Sequence, residues 1–145
     1  MKNLNNYVFL KEKFKEDFPQ FYDSFENICI ELERFFQLVE ISKTPLAVMS
    51  PEVDALWHTF ILQTKQYEEF CMLRFGEYVH HQSHTKSLPV PKVAISNLYT
   101  KYQNVFGVVP DMWLKNLPIK YHKLLLGGKV PRQLLSLQWS GYPGK

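Results

Sequence analysis

Two groups of histidines in this 145-residue chain have spacings that could do chemistry. Asp54 and His58 stand four residues apart. On a helix that step makes them neighbours, so the carboxylate can accept from the imidazole, fix its tautomer and favour its charged form. Catalytic bases and metal-ligating histidines are oriented in this way. The same pair also occurs as an ordinary intrahelical contact, which is the reading preferred here because most such pairs do no chemistry. The second group is His80-His81-Gln-Ser-His84, which holds three of the five histidines in a polar run ahead of Pro89 and Pro91. Function tends to collect on such loops when a rigid scaffold holds them. Asp54, Trp57, His58, His80, His81 and His84 are therefore the candidate binding residues, and no residue is assigned a catalytic role.

The element that must position both groups is the stretch from Ser50 to Gly76. Ser50 suits an N-cap and Pro51 the first helical position. Glu52 and Asp54 place negative charge where the helix dipole favours it. Val53, Leu56, Trp57, Phe60, Ile61, Tyr67, Phe70 and Cys71 recur mostly at three- and four-residue steps. Arg74 and Gly76 mark the end. The pattern predicts one helix over about 51–75. Two consequences follow from a straight rod. Cys71, thirteen residues beyond His58, lies about 20 Å further along the axis and cannot form a dyad with it. His58 lies roughly 25 Å before the end of the helix, while the few residues after Gly76 return only about 13 Å, so His80 and His81 should not reach it. Adjacent histidines also point apart in extended chain, which disfavours both binding one ion. Catalytic zinc needs about three protein ligands and an open position. No metal site and no cofactor are expected on this reading.

The remaining elements read as helices. Residues 4–18 carry Tyr7, Leu10, Phe14 and Phe18 on one side. Residues 20–41 carry a seam of Phe21, Phe25, Ile28, Leu32, Phe35 and Val39, with Asp23, Glu26, Glu31, Glu33 and Arg34 on a face taken as solvated. Residues 92–106 turn Ile95, Leu98, Tyr99, Tyr102, Val105 and Phe106 inward, and Gly107 ends that helix. Pro110 to Trp113 reads as a short helical turn. Short helices are expected over 118–126 and 131–138, and 140–145 reads as a tail. The expected fold is all-α: one domain, 1–145, formed as an irregular bundle of about five to six helices with a His-rich loop after the central one.

The run Asp54-x-x-Trp57-His58-x-Phe60-Ile61-Leu62-x-Thr64-x-x-Tyr67-x-x-Phe70-Cys71, followed by Gly76 and His80-His81, resembles the glycine-rich-domain-containing-protein-like family. Tyr102-x-x-x-Phe106-Gly107-x-x-Pro110-x-x-Trp113 resembles that family's second block. The resemblance covers about 50–113. It departs from the family after the double histidine, where Gln82 and Ser83 stand in place of an early proline, and it lacks the plant relatives' glycine-rich tail, with only 6 glycines in the chain. The family is a domain of unknown function, so the resemblance implies a fold and no activity.

Composition narrows the rest. Hydrophobic residues make up 46% and aromatics 15%, which suits a packed, aromatic-rich core rather than disorder. Cys29 and Cys71 form neither a disulfide framework nor a CxxC site, which suits a reducing compartment. The N-terminus has no apolar run long enough for a signal peptide or a membrane span. A soluble cytoplasmic protein is expected, although a secreted bacterial protein without a cleaved signal would read the same. Charge is divided unevenly: residues 1–76 hold 8 Lys/Arg against 12 Asp/Glu, while 77–145 hold 9 against 2. The basic half, with Lys101, Lys120, Lys123, Lys129 and Arg132 among Tyr99, Tyr121 and Trp139, admits nucleic-acid binding. Lys129 after Gly127-Gly128 is no P-loop, because the motif's first glycine is missing and Val130 replaces its Ser/Thr. With no catalytic signature present, the expected function is a non-enzymatic interaction module with a protein partner. The alternatives are a histidine-based or metal-dependent enzyme using Asp54, His58, His80 and His81, and nucleic-acid binding through residues 77–145.

Overall fold

The computed structural model describes residues 3–81, 90–115 and 117. Among them the fold is all-α, as expected, with no strand. Five α-helices follow in order: α1 (Val8–Asp17), α2 (Phe25–Ile41), α3 (Pro51–Leu62), α4 (Thr64–Phe75) and α5 (Lys92–Phe106). Short 3-10 turns at Leu4–Asn6, Pro19–Ser24 and Asp111–Trp113 lead into or out of them. The expected helices over 118–126 and 131–138, the tail 140–145 and His84 lie outside the described residues. The described residues gather into two compact units, one from 1–36 with 52–81 and one from 37–51 with 82–145.

In the first unit, the expected helix over 4–18 is a 3-10 turn followed by α1, and the one over 20–41 is a 3-10 turn followed by α2. The backbone N–H of Leu4 donates to the Glu33 carboxylate at 3.1 Å, which pins the entry turn to α2. The α2 seam is buried at Phe25, Ile28, Leu32 and Phe35, with Cys29 and Phe36 beside it. Glu31, expected on the solvated face, is instead buried, with an Arg34 guanidinium nitrogen 3.3 Å from its carboxylate.

The central helix is where expectation and structure part. It is not one rod: it breaks at Gln63, between α3 and α4. Gln63 N–H bonds back to the Phe60 carbonyl in a tight 3-10 step at 2.9 Å, and Gln63 then accepts from Tyr67 N–H at 2.8 Å to open α4. No glycine or proline marks the break. Aromatic packing accounts for it. Phe60 lies 5.1 Å from Tyr67 and 5.3 Å from Phe70, ring centre to ring centre. In an unbroken helix Phe60 and Phe70 would stand about 15 Å apart along the axis. The bend between α3 and α4 puts both rings on Phe60, and Phe36 of α2 adds contacts to Trp57, Phe70 and Phe75 at 5.5, 5.4 and 5.9 Å. Each such ring pair adds roughly 0.5–1.5 kcal/mol beyond its buried area. That outweighs the few backbone bonds the kink gives up, each worth about 1 kcal/mol net. Gly76 ends α4 as expected, in the left-handed region at φ 73°.

In the second unit, Ala47 N–H bonds the Ala94 carbonyl at 3.1 Å, and the Asn97 side-chain amide reaches the Pro45 carbonyl at 3.4 Å. These bonds lay the chain after α2 against the start of α5. Ile95, Leu98, Tyr99 and Tyr102 of α5 are buried as expected, but Val105 is 46% exposed. It falls near the C-terminal end of α5, in the turn just before Gly107. The Tyr99 hydroxyl donates to the Trp113 carbonyl, and Tyr102 packs on the Trp113 ring. The short helical turn expected at Pro110 to Trp113 is present as Asp111–Trp113.

Two outcomes are expected. Gly76→Ala forces a Cβ into a left-handed backbone, and although no atom obstructs it, the strain should lower stability by about 1 kcal/mol in urea unfolding. Burial, aided by Glu33 and Glu26, pushes the Cys29 thiol up to about 12 from an ordinary value of 9.0, and burial also raises the Tyr67 and Tyr99 phenols. These acids are held protonated by the fold. Their contribution is therefore whole below the unfolded thiol value and is lost as pH rises through the raised, folded one. Urea midpoints should fall steadily from pH 9 upward.

Candidate functional site

The site is built on α3, whose residues from Glu52 to Trp57 are all buried. A buried carboxylate needs partners, because removing a charge from water without them is costly. Asp54 has two. The His81 Nε2 lies 2.7 Å from Asp54 Oδ1, and the His58 Nε2 lies 3.6 Å from the same oxygen. A carboxylate only accepts, so the imidazole N–H of His81 donates. The His81 side chain is 4% exposed, against 39% for His58. The two imidazole rings lie 4.4 Å apart, centre to centre. One donor atom from each of Asp54, His58 and His81 lies within 4.8 Å of the other two.

This convergence corrects the expectation that His58 and the double histidine stay apart. That estimate assumed a rod to Arg74. With the break at Gln63, the chain changes direction between α3 and α4, and five residues after Gly76 His81 reaches Asp54 in the first turn of α3. The adjacent histidines do separate as expected: His81 turns in to Asp54, while His80 is exposed and lies 4.8 Å from the Tyr78 ring. Cys71 is buried and is not among the three residues of this cluster; the straight rod from which its separation from His58 was argued is broken at Gln63.

Trp57 and Tyr67 hold the site from behind. Trp57 is 5% exposed, and its ring centre lies 4.2 Å from that of His81. Its indole Nε1–H donates to the Tyr67 hydroxyl at 2.9 Å. The Tyr67 hydroxyl in turn donates to the carbonyl of Val79, two residues before His81. Burial pushes the Tyr67 phenol well above its ordinary value; the Trp57 bond opposes this, and Cys71 and Tyr78 reinforce it. Trp57 was singled out from the sequence, but Tyr67 was read only as an apolar contact. The available signal was chemical: a tyrosine and a tryptophan on one buried face each carry a polar handle that must find a partner.

Two imidazoles and one carboxylate are a donor set for a divalent transition metal, used by catalytic zinc with an open position and by non-haem iron. Tetrahedral bonds of about 2.0–2.1 Å put ligand atoms roughly 3.3 Å apart. The present spacing about Asp54 brackets that value, so modest side-chain rotation suffices. His58, the most exposed of the three, leaves one side open to solvent.

The chain matches the UCP032817-like family over residues 2–103. It belongs to that family. The match spans α1 to α4 and nearly all of α5, and thus every described residue of the site. The family description carries no activity, and nothing in it supports the glycine-rich-domain-containing-protein-like resemblance as the family's name. No curated protein and no solved structure matches the chain.

Asp54→Ala should strand the buried His81 N–H and cost about 1–3 kcal/mol. His80→Ala, at an exposed position, should stay within about 0.5 kcal/mol of the parent. Chemical denaturation of the two variants side by side reads the contrast.

Proposed function

We propose that this UCP032817-like chain binds one divalent transition metal ion, of the zinc or iron(II) class, through Asp54, His58 and His81. The observation that carries the proposal is the meeting of two imidazole nitrogens and one carboxylate oxygen, drawn from positions 54, 58 and 81, within 4.8 Å. Sequence-distant groups of that chemistry converging on a buried carboxylate have a use as ligands that a single helical Asp–His pair does not. The half-exposed His58 leaves room for a water or substrate atom at a further position. That favours a reactive centre, in which bound water is activated, over a closed structural one. Binding displaces the proton that His81 now shares with Asp54, as ligation by imidazole requires.

A second reading retains the interaction module with a protein partner. It is supported by the exposed apolar side chains Leu62, Met72 and Leu73 at the end of α3 and on α4. Cytoplasmic residence accords with the two free, buried cysteines. The kinship with glycine-rich-domain-containing proteins belongs to the same tier, resting on the Trp57-His58 and Tyr67 to Cys71 spacings. Among the described residues no helix is long and apolar enough to cross a membrane. The nucleic-acid reading rests on residues 77–145, most of which lie outside the described residues.

Protein purified without an affinity tag, stripped and titrated with zinc in a calorimeter, should take up one equivalent. Asp54→Ala and His81→Ala should each weaken uptake by at least an order of magnitude, while His80→Ala binds as the parent does. A parent protein that takes up no zinc, cobalt or iron(II) from stoichiometric solution would defeat the metal reading and leave the interaction module.

A further inference from the structure

We infer that the Tyr67 hydroxyl is a positioning group for His81: by holding the Val79 carbonyl it sets the course of the chain that delivers this imidazole to Asp54. In its consequence for metal affinity the inference rests on the reading above; in its geometry it does not. His81 follows the end of α4 by only a few residues, and no regular secondary structure fixes it. Something must therefore hold those residues against α3. The described contacts supply three holds that meet at one side chain. The Tyr67 hydroxyl donates to the Val79 carbonyl. It accepts from Trp57, whose ring packs on His81 itself. The Tyr67 ring also meets the Tyr78 ring edge-on at 5.2 Å.

Tyr67 is fully buried, so its hydroxyl cannot exchange these partners for water. It has one proton to give, and the Val79 carbonyl can only accept. The Trp57 indole can only donate. The direction of the relay is thus fixed, from indole to phenol to carbonyl, and the phenol must keep its proton for it to work. The carbonyl lies two residues from His81, so a shift of the peptide at Val79 carries directly into the imbedded imidazole. Groups one step behind a metal ligand typically govern affinity by about 10- to 100-fold. Tyr67 would do so through the backbone rather than through a bond to the imidazole.

The test begins without metal. Diethyl pyrocarbonate labels accessible imidazoles, and fragment-ion mass spectrometry locates the label. In the parent protein His81 should be protected and the neighbouring His80 labelled. In Tyr67→Phe, His81 should label at close to the His80 rate, while Phe14→Leu, a buried core change on α1 among Phe18 and Phe25 that leaves the hydroxyl and the Phe60 contacts in place, should keep His81 protected. Tyr67→Phe leaves the indole and the carbonyl unpartnered and could fail to fold. The double variant Trp57→Phe with Tyr67→Phe removes donor and relay together, a change that tends towards neutral stability, and His81 should be labelled there as well. A folded variant of either kind with His81 still protected would overturn the inference. Loss of the helical fold in both would overturn it too, by making the hydroxyl an element of stability rather than of placement. Zinc titration then separates the two proposals. Tyr67→Phe should bind about 10- to 100-fold more weakly than the parent. A parent that binds no metal while His81 is freed in the variant sinks the metal reading alone; a parent that binds, with a variant that matches it in affinity and protection, sinks the role of Tyr67 alone.

Discussion

Phe60 touches both Tyr67 and Phe70, and that double contact constrains the rest of the first unit. Seven and ten residues separate these rings in the chain, so no straight helix can bring both to one point. The chain must turn back between them, and it does so at Gln63 with a single 3-10 step. Once it has turned, Trp57 finds the Tyr67 hydroxyl, Phe36 finds Phe70 and Phe75, and the residues after Gly76 come home to α3. The site at Asp54 is a product of this fold-back. Without it the carboxylate would have only His58, four residues away on the same helix.

Much of this was legible in the residues. The all-α class, the caps at Pro51 and Gly76, the inward faces of α2 and α5 and the opposite fates of His80 and His81 all follow from local spacing. Asp54, Trp57 and His58 stand out in the sequence as well, and the structure places all three beside His81. What was not legible is the break at Gln63, because local spacing carries no sign of it. Ile61-Leu62-Gln63-Thr64 contains neither glycine nor proline, and apolar residues at helical steps run through on both sides. The kink is decided by ring-to-ring packing between residues distant in sequence, which outweighs local preference. The one error about the site came from there. The distance from His58 to the double histidine was reckoned along a rod, and the true path is folded. Glu31 was misjudged for a related reason, since a charge on the outer face of α2 alone is not on the outer face of α2 within the unit.

The site also joins two kinds of burial that ordinarily exclude each other. Asp54 sits among aromatic rings, yet it is ionisable and sits beside two ionisable partners. Such a cluster adds little to stability that apolar side chains of similar volume could not supply.

His80 and His81 are chemically the same and differ only in which way they face. The three residues from Glu77 to Val79 set that difference, since they decide which of the pair arrives at Asp54. One residue added there would bring His80 inward and preserve an imidazole at the carboxylate. One residue removed would bring Gln82 to the same place and set an amide, which has no basic nitrogen, beside the carboxylate. The linker can therefore lengthen by one step without emptying the seat, but it cannot shorten, and the doubled histidine acts as a spare on one side only.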